Sequence, residues 1–397
     1  MTGGFSAARL RRMNATMAGH VARGDVGGMV TLVSRRGETI VETHGTLALG
    51  GTEPMRRDTI FRIASMTKPI TAAAAMILVE ECVIRLDDPV DRFLPELADR
   101  KVLKRLDGPL DDTVPAERPI TLRDLLTFRA GFGAIMVFPS RLPIQTAMSE
   151  AGLAPTPNRV KLAPDEFMKR LGALPLAHQP GARWLYHTGS EVLGVLIARA
   201  CGRSLGAFMR ERIFEPLGMI DTGFDVPPDK VARMPEVHRY DASAGKLTVF
   251  DGAKATNYVT PAIFEAGGGG LLSTADDYLK FCRMMLDKGR HAGGRILSRP
   301  SVELMTADQL TAAQKEDAKD FFGDSAGWGF GMGVVTRRTE LYGPGRFGWD
   351  GGYGTSAHSD PAEDLVGILL TQRMMDSPSP PKAFVDFWTS AYQAIDD

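Results

Sequence analysis

Alternation of apolar and polar positions near both ends of the chain predicts the strands of one sheet. Residues 28–37 and 38–45 alternate as two short strands joined by a turn at Arg36 and Gly37. The segments WGFGMGVVTRR, RFGWDGGYGTSAHSDP and LVGILLTQR, all beyond residue 262, also have strand composition with glycine-rich turns. The sheet is therefore expected to take its strands from both ends of the chain.

Helical patterns flank and separate these strands. Residues 7–24 form an amphipathic pattern, and the run TAAAAMILVEECV, which begins at Thr71, has the length and composition of a buried helix. From about 90 to 260, mostly helical patterns alternate with proline-rich connections. A last helical pattern, KAFVDFWTSAYQAI, follows a proline-rich hinge at 378–381.

These patterns predict an α+β fold in which an antiparallel sheet, flanked by helices, forms an α/β sandwich. Residues 1–75 and 262–397 are expected to build this discontinuous α/β domain. Residues 76–261 are expected to form a mainly helical domain inserted into it. Because binding sites favour domain interfaces, an active site is expected in the cleft between the two.

The balance of charge excludes several classes of partner. The 47 basic and 48 acidic residues leave a formal net charge of -1, so nothing attracts the chain to nucleic acid or to an anionic membrane. The sequence has no apolar segment typical of a signal peptide and no membrane-spanning run, so a cytoplasmic protein is expected. Cys82, Cys201 and Cys282 lie far apart in apolar contexts and are expected to be buried, reduced thiols.

A candidate nucleophile lies immediately before the apolar helix, in Ser65-Met66-Thr67-Lys68. If the helix begins at Ser65, the Lys68 amine lies beside the serine hydroxyl, because residues three apart share a helix face. The Ser65 N–H is then one of the unpaired donors at the positive end of the helix dipole. Burial can lower the pKa of a lysine by several units, which would let Lys68 accept the hydroxyl proton. The alternative is a helix-capping serine beside a solvated lysine.

Other motifs along the chain decide between these two interpretations. Seven blocks, in order along nearly the whole chain, resemble the class C β-lactamase and DD-peptidase superfamily, and most closely its esterase branch, the family VIII carboxylesterases. The blocks are ASMTKPITAAAAMILVEE, LDDPVDRFLPEL, ITLRDLLTFRAGF, PGARWLYHTGSEVLGVLIARACGRSL, ERIFEPLGMIDTGF, GGGGLLSTADDYLKF and FGWDGGYGTSAHSDP. The resemblance implies a serine β-lactamase/DD-peptidase-like fold, with Ser65 acylated and Lys68 moving its proton.

The resemblance also implies a second motif at Tyr186-His187-Thr188. Tyr186 matches the family tyrosine that exchanges protons with the reacting groups, whereas Thr188 stands where the lactamases have a substrate-binding asparagine. His187 is adjacent to Tyr186, and a role in tuning the tyrosine is a further hypothesis. The alternative for Tyr186 is a half-buried core aromatic residue.

The third motif, Lys-Thr-Gly in the lactamases, is Trp349-Asp350-Gly351 here. The resemblance implies an edge strand facing Ser65, with Trp349 and Gly351 against the substrate. The Gly352 N–H would be the second oxyanion donor beside the Ser65 N–H. The alternative is a glycine bulge or tight packing site.

The sequence offers further candidates for substrate contacts, for the nucleophile and for metal ligands. Phe132 and Phe138 lie in an apolar segment that is expected to border the site, although a core contact explains them nearly as well. The segment 323–327 matches the Gly-x-Ser-x-Gly nucleophile motif at Ser325, but a helical pattern precedes it and a strand follows, the reverse of what that motif requires. The seven histidines lack metal-ligand spacing, so neither a metal nor a cofactor is expected.

The sequence thus predicts a serine carboxylesterase that hydrolyses small, short-acyl esters through an acyl-enzyme on Ser65. A β-lactamase or D-amino-acid peptidase or amidase with the same residues is one alternative. A catalytically silent penicillin-binding-like protein is another. The expected partner is a small-molecule ester, and both a monomer and a homodimer remain open.

Overall fold

The computed structural model describes residues 3–137, 139–252 and 256–397. Its described strands are β1 (Gly28–Arg35), β2 (Glu38–Gly45), β3 (Phe61–Arg62), β4 (Lys101–Leu103), β5 (Thr113–Pro115), β6 (Val237–Asp241), β7 (Lys246–Asp251), β8 (Leu272–Ser273), β9 (Arg290–His291), β10 (Gly294–Arg295), β11 (Ala326–Trp328), β12 (Gly333–Val335), β13 (Phe347–Gly351), β14 (Thr355–Asp360) and β15 (Leu365–Thr371).

Helices flank these strands and fill most of the middle of the chain. The α-helices of the described ranges are α1 (Ala7–Ala22), α2 (Thr67–Glu80), α3 (Leu122–Leu126), α4 (Pro143–Glu150), α5 (Pro164–Ala173), α6 (Thr188–Cys201), α7 (Leu205–Met209), α8 (Glu215–Leu217), α9 (Ala275–Leu286), α10 (Arg299–Met305), α11 (Ala312–Lys315), α12 (Lys319–Phe322) and α13 (Lys382–Gln393). The middle of the chain also contains the short antiparallel pairs β4–β5 and β6–β7.

One large antiparallel sheet has the strand order β11-β12-β13-β14-β15-β1-β2, so it combines the two ends of the chain as predicted. Successive residues of β1 face opposite layers. Met29 and Val33 pack with α1 and α13, whereas Val30 and Leu32 join the main core, which includes α2. Both faces are covered, which is why every residue of β1 is buried. The predicted α+β fold is confirmed.

Two expectations are corrected. The third-motif strand β13 is internal rather than an edge strand, because β12 pairs with it. That pairing covers only Phe347 and Gly348, so the Trp349–Gly351 half lies past the end of β12. Of the cysteines, Cys282 is buried, but Cys82 is exposed because it lies beyond the end of α2 at φ 58°.

Within the described ranges no single helix is long and apolar enough to cross a membrane. Thr188–Cys201 and Leu205–Leu217 together have the length and apolar composition of a membrane span, but the two helical segments are bent by 78° relative to each other.

Candidate active site

A single turn of 3₁₀ helix, Ala64–Met66, carries the predicted nucleophile directly before α2. Ser65 is half-buried and lines a cavity of about 650 Å³. Ala64 has φ of 45°, in the left-handed region that a residue other than glycine adopts only where its surroundings impose it. The Oγ1 of Thr355 donates a 3.1 Å hydrogen bond to the Ile63 carbonyl and helps to hold this turn.

The Lys68 amine lies one turn into the helical segment, beside the serine hydroxyl. Its Nζ is 2.8 Å from the Oγ of Ser65, as the three-residue spacing predicts. It also donates a 2.5 Å hydrogen bond to the carbonyl of Gly268. Burial lowers the pKa of Lys68 to about 7, and the negative charge of Glu191 partly opposes that shift. Lys68 can therefore act as a base near neutral pH.

The Tyr186 phenol lies beside Ser65 and Lys68. Burial raises the pKa of Tyr186 to about 12, and hydrogen bonds with Ser65 and Trp349 oppose that shift. The Nε1 of Trp349 donates to the Tyr186 Oη at 2.6 Å. The Lys68 Nζ lies 4.7 Å from the centroid of the tyrosine ring, within cation–π range. At neutral pH the phenol is protonated and can serve as a proton donor.

An aromatic cluster fixes the orientation of Tyr186. Its ring is stacked on Trp184 with 5.5 Å between centroids and meets the edge of Phe128 at 5.7 Å. Phe321 lies at 5.2 Å on a further side. The aromatic residues in this cluster restrict the phenol to one position beside Ser65.

The end of β13 lies against the nucleophile turn. A side-chain carbon at Gly351 would overlap the Ile63 carbonyl oxygen and the Thr355 Oγ1, so only glycine permits this approach. The next residue, Gly352, lines the same cavity as Ser65. The backbone N–H groups of Ser65 and Gly352 are therefore candidate donors to an oxyanion at the mouth of the turn.

The cavity beside Ser65 receives residues from several parts of the chain. A proline-containing loop at 152–162 forms one wall of the cavity, and Thr188 and Tyr353 also line it. Its further apolar lining is Leu153, Val160, Leu162, Phe167, Phe224, Phe264, Met374 and Met375. Arg159 also lines it, but its guanidinium donates to the Phe224 and Thr260 carbonyls. The cavity is of a size that holds a small organic ligand.

Two predicted substrate-binding residues, Phe132 and Trp349, do not line this cavity, and a third lies outside the residues that the structure describes. Phe132 is buried in the main core, which is the alternative position that its sequence allowed. Trp349 lines a second cavity of about 300 Å³. Phe138 lies outside the described residues. A contact between substrate and Phe132 or Trp349 stays a prediction.

Sequence reasoning missed two groups that contact Lys68 or its neighbours. Glu191 lies one turn after His187 at the start of α6, and their side chains are 3.1 Å apart. The carbonyl of Gly268, in the glycine run at 267–270, accepts a hydrogen bond from the Lys68 amine. The signal available in the sequence was the four-residue spacing of His187 and Glu191.

Two other serines are poor candidates for the nucleophile. Ser325 follows α12 and precedes β11, so the strand-turn-helix order of the nucleophile elbow is absent there. Ser356 and His358 both contact the same carboxylate oxygen of Asp350, at 2.6 and 3.1 Å. The aspartate therefore separates the serine from the imidazole, so this cluster is not a Ser-His-Asp relay. In the described part of the chain, no three His, Cys, Asp or Glu side chains are grouped to hold a metal ion.

The fold and the arrangement of Ser65, Lys68 and Tyr186 define a hydrolase of the β-lactamase fold. The family model described as Beta-lactamase matches residues 13–385, so the chain belongs to the beta-lactamase family. This membership confirms the resemblance that the motifs carried.

Relatives of the chain extend along most of its length. It is 40% identical over 364 residues to Protein Rv1367c of Mycobacterium tuberculosis, covering 89% of this chain and 87% of that one. It is 29% identical over 375 residues to Esterase EstB of Burkholderia gladioli, covering 89% and 88%. The solved structure of EstCE1, a hydrolase with promiscuous acyltransferase activity, matches with a TM-score of 0.81 at 22% identity, covering 98% and 99%.

Proposed function

We propose that this protein is a serine carboxylesterase that hydrolyses small, uncharged carboxylic esters through an acyl-enzyme on Ser65. The observation that carries the proposal is the contact between the Lys68 amine and the Ser65 hydroxyl, 2.8 Å apart beside an apolar cavity. Because the pKa of Lys68 is lowered to about 7, a large fraction of the amine is neutral near pH 7 and able to accept a proton. The esterase relative supports the choice of substrate class.

Acylation follows from these positions. The Ser65 hydroxyl gives its proton to the Lys68 Nζ as its oxygen attacks the ester carbonyl carbon. The N–H groups of Ser65 and Gly352 stabilise the resulting oxyanion. When the carbon–oxygen bond to the alcohol breaks, Tyr186 donates its proton to the departing oxygen and regains one from the Lys68 ammonium.

Deacylation reverses these roles. A water molecule attacks the acyl carbon and gives its proton to the group of Lys68 and Tyr186, and the Ser65 oxygen leaves with a proton from the same group. The cycle is redox-neutral and consumes one ester and one water for each acid and alcohol released.

The residue at position 349 supports a preference for uncharged esters. Trp349 stands where the lactamases have a lysine, so a substrate carboxylate would lose hydration without gaining an ion pair there. The cavity lining itself contains the cations Arg159, which donates to backbone carbonyls, and Lys161, so the preference rests on position 349. The volume of about 650 Å³ exceeds what a short acyl group fills, so bulky acids and alcohols belong in any test.

The test combines turnover with labelling of the nucleophile. p-Nitrophenyl esters of increasing acyl length, together with a chromogenic cephalosporin and a D-amino-acid amide, are assayed with wild type and Ser65→Ala. A fluorophosphonate followed by peptide mass spectrometry identifies the reactive serine. The proposal expects ester turnover and labelling at Ser65, both lost in Ser65→Ala. Turnover that survives in Ser65→Ala, or faster turnover of the amide or cephalosporin, would overturn it.

A further inference from the structure

His187 has an unusual backbone conformation beside the catalytic group. Its φ of 78° and ψ of -65° place it at the centre of a three-residue γ-turn, which the 3.1 Å hydrogen bond from Thr188 N to the Tyr186 carbonyl closes. This form of the turn is rare and strained for a residue with a side chain. Strain of this kind persists at functional sites, where the surrounding structure imposes it. Here the turn places the imidazole over the Lys68 amine.

The imidazole connects Lys68 to a buried carboxylate. The His187 Nδ1 is 3.3 Å from the Lys68 Nζ, and its Nε2 is 3.1 Å from the Glu191 Oε1. The Glu191 side chain is only 4% exposed, and its other oxygen accepts a 3.2 Å hydrogen bond from the Gly268 N–H. A side-chain carbon at Gly268 would come within 2.7 Å of the Glu191 Oε1, so the glycine run permits this packing.

These contacts define the tautomer of the imidazole. A carboxylate only accepts hydrogen bonds, so the Glu191 oxygen requires the proton of His187 on Nε2. The Nδ1 atom then carries a lone pair that faces the Lys68 amine. His187 is thereby an acceptor towards Lys68, and its orientation depends on Glu191.

The same contacts orient the lysine. A neutral amine has two N–H bonds and one lone pair, and its two acceptors here are the His187 Nδ1 and the Gly268 carbonyl. With both N–H bonds engaged, the lone pair points to the third neighbour, the Ser65 hydroxyl. This is the arrangement that a general base needs before it removes the serine proton.

We propose that His187 and Glu191 form a positioning pair that orients the neutral Lys68 amine towards Ser65. The inference rests on the proposed function, because it assigns Lys68 the role of base. In the part of the chain that the structure describes, the titratable groups that face this amine are Tyr186, His187 and Glu191. Only Glu191 contributes a negative charge that raises the pKa of Lys68.

The first test replaces Glu191 by glutamine and follows kcat and KM for a p-nitrophenyl ester against pH. Loss of the carboxylate charge moves the acidic limb of kcat to lower pH, because the pKa of Lys68 falls. An amide N–H₂ facing Nε2 would place the imidazole proton on Nδ1, which competes with Ser65 for the lysine lone pair. We expect kcat to fall by about tenfold or more with KM within about twofold of wild type.

Glu236→Gln is the matched control, since Glu236 accepts from another buried histidine, His238, at 3.2 Å and is absent from the catalytic group. Its acidic limb is expected to coincide with that of wild type. If Glu191→Gln leaves both the limb and kcat unchanged, or shifts them no more than Glu236→Gln does, the positioning pair is disproved.

The second test uses His187→Gly, because glycine adopts positive φ without strain and leaves a space of imidazole size. We expect kcat to fall by about tenfold or more, and added imidazole to restore it saturably. Pyrrole, which has the same ring size without an acceptor nitrogen, should restore nothing. Rates are corrected with Ser65→Ala at each imidazole concentration. Equal effects of imidazole and pyrrole, or an undiminished kcat in His187→Gly, would refute the pair.

Fluorophosphonate labelling of Ser65 separates this inference from the proposed function. The labelling rate depends on activation of the serine and requires no ester turnover. If wild type labels at Ser65 but hydrolyses no ester, the proposed substrate class fails, and the labelling rates of Glu191→Gln and His187→Gly still test the pair. If all three proteins hydrolyse esters and react with the fluorophosphonate at Ser65 at the wild-type rate, only the positioning pair fails.

Discussion

The indole of Trp349 donates a hydrogen bond to the phenol oxygen of Tyr186 across 2.6 Å. The residue that replaces the third-motif lysine is therefore hydrogen-bonded to the tyrosine that we propose exchanges protons with Ser65. Its donor lowers the pKa of Tyr186 against the opposing effect of burial. The identity of residue 349 should thus affect the rate of the chemical step as well as substrate selection.

Trp349→Phe keeps an aromatic ring in the cluster but removes the N–H donor together with one ring of the indole. A neutral hydrogen bond contributes about 0.5 to 1.5 kcal/mol, so kcat for a p-nitrophenyl ester should fall roughly two- to tenfold. The pKa of Tyr186 should rise further. Steady-state kinetics and an ultraviolet titration of the phenol measure the two effects.

Trp328→Phe is the matched control for that substitution. Trp328 belongs to the same cluster and meets the Trp349 ring at 4.6 Å between centroids, but its N–H bonds to the backbone carbonyl of Leu126. Its loss should reduce stability while leaving the pKa of Tyr186 unchanged. Equal kcat in wild type and Trp349→Phe would show that the 2.6 Å contact does not influence proton transfer.

The buried amine of Lys68 should make stability depend on pH. Its pKa is lowered to about 7 in the folded protein and returns to about 10.5 on unfolding. Between these values the unfolded chain binds one more proton than the folded chain, so the free energy of unfolding rises with pH by about 1.4 kcal/mol per unit. Lys68→Met abolishes this rise together with activity.

Urea unfolding of wild type and Lys68→Met at pH 7, 8 and 9 measures the difference, and tryptophan fluorescence reports the transition. Lys319→Met serves as the control, because the Lys319 side chain is 64% exposed and pairs with the exposed Glu316. A difference between wild type and Lys68→Met that stays constant with pH would contradict a lowered pKa at Lys68.

Much of this architecture could be predicted from local pattern. Two short runs of strand composition and the turn at Arg36 and Gly37 predict the hairpin of residues 28–45, and the structure pairs β1 with β2 across that turn. The three-residue spacing of Ser65 and Lys68 predicted their contact, because helical geometry fixes it. These features depend on neighbours in sequence.

The rest depends on contacts between distant segments. Nothing local indicates positive φ at Ala64 or His187, since both conformations are imposed by packing around the nucleophile. The register of β12 leaves half of β13 uncovered, and no pattern in β13 itself specifies where β12 ends. The hydrogen bond from Trp349 to Tyr186 joins residues that are 163 positions apart. Motif matching could not predict it, and it placed the indole against substrate only by analogy with the family.

Ser325→Ala should leave ester turnover close to wild type. The residue lies between a helix and a strand, in the order opposite to that of a nucleophile elbow, and Lys68 and Tyr186 surround Ser65 instead. Parallel assays of Ser325→Ala and Ser65→Ala measure the contrast. A loss at Ser325 comparable to that at Ser65 would transfer the nucleophile to the second serine.

The last prediction concerns selectivity between esters and β-lactams. Wild type lacks the third-motif lysine that would pair with the carboxylate of a cephalosporin, and Trp349 offers an apolar surface in its place. A charge-assisted hydrogen bond contributes about 1.5 to 3 kcal/mol, or on the order of ten- to over a hundredfold in binding. We expect kcat/KM for a neutral short-chain p-nitrophenyl ester to exceed that for a chromogenic cephalosporin by about a hundredfold or more.

Trp349→Lys should reduce this difference in kcat/KM, because it improves cephalosporin binding and also slows ester turnover. The ammonium supplies the missing charge and lowers KM for the cephalosporin. The lost indole leaves a space in the aromatic cluster around Tyr186, so ester turnover falls through kcat. Trp349→Phe separates these effects, because it weakens ester turnover without adding a charge and should leave KM for the cephalosporin high. If wild type hydrolyses both substrates equally well, it has no preference for uncharged esters and the choice of esterase over β-lactamase is wrong. If Trp349→Lys and Trp349→Phe bind the cephalosporin equally, residue 349 does not select against β-lactams.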